Sequence, residues 1–173
     1  LIGKFVEQSW ENGVDLFRVF DSLNWMKSIA PCIEHVRTKT NGLAEGSICY
    51  TSDILDVKNT KYNLKYYINL AKEIENSGAH ILGIKDMAGL LKPYAASELI
   101  KALKSEINIP LHLHTHDTSS IQSATYLKAI EAGVDVVDVA LSGLSGLTSQ
   151  PNFNSIVEMM KFHERENAIN TTS

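Results

Sequence analysis

A helix-stopping tag that recurs ahead of short β-type runs constrains this chain more than any other feature. Asn12-Gly13-Val14-Asp15, Ser77-Gly78-Ala79-His80 and Ala132-Gly133-Val134-Asp135 each place glycine where a helix ends and a strand begins. Between the tags the chain alternates. Val14–Phe20, Gly46–Thr51, His80–Lys85, Leu111–His116 and Asp135–Ala140 read as strands. The intervening segments have apolar residues at helical spacing: Leu23, Met26, Ile29, Ile33 and Val36, then Leu64, Tyr67, Ile68, Ala71 and Ile74, then Leu99, Ile100 and Leu103. A helical pattern from Ile2 to Trp10 precedes the first strand, and a last helix is expected over 151–163. Pro93 suits the opening turn of its helix, Ser119-Ser120 suits a cap, and Pro31 is expected to kink its helix or mark a boundary.

Strands alternating with helices at a repeat of about thirty residues predict a parallel sheet wrapped by crossover helices. No Gly-rich phosphate loop follows any strand, which argues against a doubly wound nucleotide fold. The regular rhythm predicts an α/β chain forming part of a (β/α)₈ barrel. A full barrel needs about 250 residues, so the 173 here supply about five consecutive βα units. We expect 1–166 to form this partial barrel and 167–173 to fray as a polar tail.

Composition excludes several partners. The formal net charge of -4 offers no basic excess for nucleic acid or an anionic bilayer, and the apolar runs are too short to span a membrane. No targeting leader is expected. Cys32 and Cys49 match neither a disulfide framework nor zinc spacing, so both read as buried thiols of a reducing compartment.

In Leu111-His-Leu-His-Thr-His116, side-chain alternation puts His112, His114 and His116 on one face and Leu111, Leu113 and Thr115 on the other. Histidines two apart at a strand end can lean onto one ion, whereas His80 and His112 each read more simply as hydrogen-bonded interior residues. Lys85, at the end of the preceding strand, is expected at the same rim. It reads either as a salt-bridging rim residue or as a functional lysine, and a protonated ammonium has no lone pair to give a metal.

Phe17-Arg-Val-Phe-Asp-Ser-Leu-Asn24, Ile84-Lys-Asp-Met-Ala-Gly-Leu-Leu-Lys-Pro93, His112-Leu-His-Thr-His-Asp-Thr-Ser119 and Ser145-Gly-Leu-Thr-Ser-Gln-Pro151 resemble the carboxyltransferase domain of the pyruvate carboxylase family. The resemblance implies that Lys85 is carbamylated and ligates a divalent metal (Mn, Zn or Co) with His114 and His116, Lys85 being the catalytic residue. It implies transfer of a carboxyl group from carboxybiotin to pyruvate, giving oxaloacetate. Biotin then sits on a separate carrier domain, ATP and bicarbonate serve another domain, and the parent is a homo-oligomer, bacterial and cytoplasmic rather than of the mitochondrial matrix. The family's metal-ligating aspartate and substrate arginine are expected before Leu1 and its threonine after Ser173, so the piece alone is expected to be inactive. Ser120 and Gly143 stand where the family usually has Gly and Ser. Asp117, out of phase with the histidines, is expected to cap the following helix. Related alternatives are an oxaloacetate decarboxylase or transcarboxylase subunit, and a metal-dependent aldolase or lyase barrel similar to hydroxymethylglutaryl lyase. A non-catalytic scaffold whose strand-end histidines are only hydrogen-bonded is the remaining reading.

Overall fold

The computed structural model describes residues 1–169. Five strands, β1 (Leu16–Phe20), β2 (Leu43–Cys49), β3 (Ile81–Asp86), β4 (Leu111–Thr115) and β5 (Val136–Val137), form one sheet in sequence order, every pair parallel. Helices α1 (Ile2–Glu11), α2 (Met26–Lys39), α3 (Leu64–Asn76), α4 (Pro93–Glu106), α5 (Gln122–Glu131) and α6 (Phe153–Met159) alternate with them. This is the expected run of consecutive βα units of a barrel-type sheet. Among the described residues the sheet does not close, and β1 and β5 are its edges.

The three expected helix stops all hold glycine in the left-handed region, with φ +92° at Gly13, +91° at Gly78 and +103° at Gly133. A β-carbon would disfavour that conformation. One face of the sheet packs on the helices. Ala44, Ile48, Leu82, Ile84, Leu111 and Leu113 meet Ile33, Ile74, Leu99, Ile100, Leu103 and Tyr126 in one apolar core. No helix is long and apolar enough to cross a membrane. Both cysteines are free thiols; Cys49 is buried as expected, while Cys32 is only partly buried.

Several boundaries differ from expectation. β2 begins at Leu43 rather than Gly46, because Leu16 to Phe20 pair with Leu43 to Ser47. β5 pairs through two residues only, and beyond it the chain is held by an isolated bridge between Ala140 and Asn152. Pro31 lies inside α2, which continues through it to Lys39. Ser119-Ser120 does not cap α5: Asp117–Ser119 is a short 3₁₀ turn, and Asp117 Oδ1 instead accepts the Gln122 N–H at 3.1 Å. Ser120 takes φ +58°, a left-handed position that favours the glycine usual in the resembled family. α6 is shorter than expected because Asn152 caps it on the Ser155 N–H and Met160 ends it. The expected frayed tail falls mostly on 170–173, outside the described residues; residues 167–169 have no regular secondary structure.

A buried polar cluster on the helix side of β3 and β4 anchors the loops that carry the rim. Asp86, fully buried, accepts the Leu90 N–H at 2.9 Å, the Leu91 N–H at 2.8 Å and the Thr115 hydroxyl at 3.1 Å. Gln122 donates to the carbonyls of Gly89 and Leu91, and the Tyr126 hydroxyl accepts the Thr115 N–H. These bonds tie the loop after β3 to the start of α5. Asp86→Ala strands the Leu90 and Leu91 N–H groups, while the Thr115 hydroxyl keeps Gln122 Oε1 as an acceptor, so we expect a loss of about 2 to 5 kcal/mol. A lower urea midpoint at unchanged slope measures it.

Candidate active site

Alternation along the strands sends a second set of residues to the concave face, away from the helices. Arg18 from β1, Glu45 and Ser47 from β2, Gly83 and Lys85 from β3, and His112 and His114 from β4 share this phase, as the register pairs show. Gly83 has to be small, since Ser47 Oγ and Glu45 Oε1 lean over the place a β-carbon would take. Burying polar groups here is tolerable only if each finds a partner. Among the described residues every buried side-chain nitrogen and oxygen has one.

Four charged groups form the centre of that face. Glu45 is 1% exposed; its Oε1 accepts from Arg18 Nε at 2.7 Å and its Oε2 lies 2.9 Å from His112 Nδ1. His112 Nε2 lies 2.8 Å from Asp138 Oδ1, and Asp138 Oδ2 accepts from Arg18 Nη1 at 3.1 Å and from His114 Nδ1 at 2.7 Å. Arg18 Nη2 rests 3.1 Å from the His112 ring. Burial disfavours the charged form of His112, but its hydrogen bonds to Asp138 and Glu45 outweigh that and push its pKa up to about 9. Burial likewise disfavours the Glu45 and Asp138 carboxylates. The bond from His112 dominates the opposing effects, and both are held below the ordinary carboxylate range. Two cations and two anions thus neutralise one another in the interior.

Lys85 and His114 are register partners, and His116 follows one step past β4, where its N–H donates to the Asp86 carbonyl at 3.0 Å. The rings of His114 and His116 have centroids 5.1 Å apart at an interplanar angle of 74°. Lys85 Nζ stands 4.8 Å from the centroid of the Phe20 ring. The three sequence candidates therefore lie together at the strand-end rim. His112 is hydrogen-bonded through both ring nitrogens, and His80 Nδ1 accepts the Ala44 N–H at 3.0 Å. Arg18, Glu45 and Asp138 are site residues that the sequence reading did not single out. The available signal was a charged residue at the inward phase of β1 and of β2 and one just past β5.

The donor set suits a divalent metal in part. His114 Nδ1 is engaged by a carboxylate, the arrangement that leaves Nε2 as the lone-pair donor of a ligating histidine. Among the described residues no three His, Cys, Asp or Glu side chains stand together as a metal cage. Lys85, at the same rim, offers a metal no lone pair while it is a protonated ammonium.

The HMGL-like family model matches residues 20–173. The chain is 56% identical to Bacillus subtilis pyruvate carboxylase over 98% of its own length and 15% of that protein. It is 54% identical to the Staphylococcus aureus pyruvate carboxylase over 90% of its length and 14% of that protein. The chain therefore spans about one-seventh of these relatives. The carboxyl transferase domain of Rhizobium etli pyruvate carboxylase, solved with pyruvate and biocytin, superimposes with a TM-score of 0.95 at 52% identity, covering 98% of this chain and 28% of that one.

Glu45→Ala leaves Arg18 and His112 to share the single carboxylate of Asp138, and we expect a loss of about 3 to 5 kcal/mol at neutral pH. Because the Glu45 carboxyl is held below its ordinary range, its contribution is complete above that range and disappears as pH falls through the folded value. Thermal unfolding of parent and variant should accordingly converge in acid.

Proposed function

Because the chain belongs to the HMGL-like family, we propose that it supplies the metal-holding strands of a carboxyltransferase site, where a carboxyl group passes from carboxybiotin to the enolate of pyruvate to give oxaloacetate. The observation that carries this reading is the in-register meeting of Lys85 with His114 on the concave face, His116 beside them. The likeness to a carboxyl transferase domain that binds pyruvate and biocytin supports it. The names of these relatives favour this reading over a lyase barrel.

In this reading residues 1–166 are the barrel portion, and Lys85, His114 and His116 would hold a divalent ion. A mixed nitrogen and oxygen set with carbamylated Lys85 suits Mn²⁺, Zn²⁺ or Co²⁺. When bound, the metal supplies Lewis-acid stabilisation of negative charge developing on substrate oxygens. The chain's own residues set the surroundings. The half-exposed Phe20 ring lies over Lys85, and Cys49, the register partner of Lys85, is buried. Biotin arrives on a separate carrier domain, ATP and bicarbonate are consumed by a further domain, and the parent is a homo-oligomer. The two free thiols of this chain suit a cytoplasmic setting.

The test uses the full-length protein that contains this chain, with Lys85→Ala, His114→Ala and His116→Ala. Each variant is expected to lose bound metal and oxaloacetate formation while ATP-dependent carboxylation of biotin persists, and electron density at parent Lys85 should show the added carboxyl group. Full metal content and undiminished oxaloacetate formation in both histidine variants refute the assignment. An unmodified Lys85 beside a bound metal points to the lyase alternative.

A further inference from the structure

Asp138 is on the concave face but outside the proposed ligand set, and it carries three side-chain partners. Its Oδ1 accepts from His112 Nε2 at 2.8 Å; its Oδ2 accepts from Arg18 Nη1 at 3.1 Å and from His114 Nδ1 at 2.7 Å. The three donors come from two strands, β1 and β4. Arg18 and His112 are in turn fixed by Glu45 of β2.

We infer that Asp138 is a positioning residue, whose carboxylate holds the Nδ1–H of His114 and so presents the opposite nitrogen, Nε2, as the one free to ligate. This rests on the reading of His114 as a metal ligand. An ionised carboxylate can only accept hydrogen bonds, so the proton on the 2.7 Å contact belongs to His114 Nδ1. That fixes the tautomer and the ring orientation together. The clamp from Arg18 and His112 removes the freedom of Asp138 to swing away and release the ring. Its backbone is anchored as well, since the Asp138 N–H donates to the Leu113 carbonyl at 3.2 Å. His116 differs: its ring contact is with the His114 ring, and among the described residues no carboxylate hydrogen-bonds to it. The two histidines are therefore unequal. One is set by a buried ion network, the other by its neighbour and by the backbone.

The experiment compares metal affinity in the full-length protein and in its Asp138→Asn, Asp138→Ser and His114→Ala variants. Stripped protein is titrated with Co²⁺ against a chelator, and the visible ligand-field bands of the loaded forms are recorded. Two substitutions are made at Asp138 so that a folding failure in one, seen by thermal unfolding, leaves the other to decide. The expected result is an affinity about 10- to 100-fold weaker without the Asp138 carboxylate, with shifted cobalt bands, and near-complete loss of binding in His114→Ala. Bands and affinity equal to the parent in the Asp138 variants, with binding lost in His114→Ala, overturn the positioning role and leave the ligand reading intact. Unimpaired binding in His114→Ala overturns both. A role confined to fold stability would lower the melting temperature of the Asp138 variants without moving the cobalt bands.

Discussion

A carboxylate that is 1% exposed in the middle of a sheet is tolerable only if the surrounding strands bring cations to it, and Glu45 imposes that condition on the whole concave face. Arg18 answers from β1 and His112 from β4. Both are then shared with Asp138, which lies 120 residues from Arg18 along the chain. An ion pair between the first strand and the residue just after the fifth requires the sheet to curl. The curvature of a barrel is therefore visible in its interior charges even though the sheet has two open edges among the described residues.

The rim is held from both sides. On the helix side, Asp86, Thr115, Gln122 and Tyr126 fasten the loop after β3 to α5. On the concave side, the Arg18, Glu45, His112 and Asp138 cluster fastens His114. Lys85 and His114 lie between two satisfied polar layers, each alternating with apolar residues of the same strands. That is how short strands can hold reactive groups in fixed geometry: the period of two gives every strand one face for packing and one for chemistry.

Much of this was legible in the sequence. The glycine tags, the helical stripes and the phase of Lys85 against His114 follow from local periodicity, which survives into the fold because each βα unit obeys the same rules. Asp117 was readable as a cap because capping is local. Arg18, Glu45 and Asp138 were not readable as a unit. Their partners are separated by whole βα repeats, and Glu45 was hidden because β2 looked as though it began at Gly46, one residue beyond it. The short β5 was over-read for a related reason: Asp135 to Ala140 has strand composition, but ladder length at a sheet edge depends on the neighbour, not on propensity. The chemistry of Lys85 came from resemblance, since no spacing rule turns an ammonium into a ligand.

The brevity of β5 also bears on motion. Two paired residues give this edge little backbone protection, and edges of that kind open locally long before a domain unfolds. Here such an opening cannot proceed past Val137 without pulling Asp138 off Arg18, His112 and His114. Detachment of the chain at that point and release of the histidine ring are therefore coupled through the three side-chain partners of Asp138.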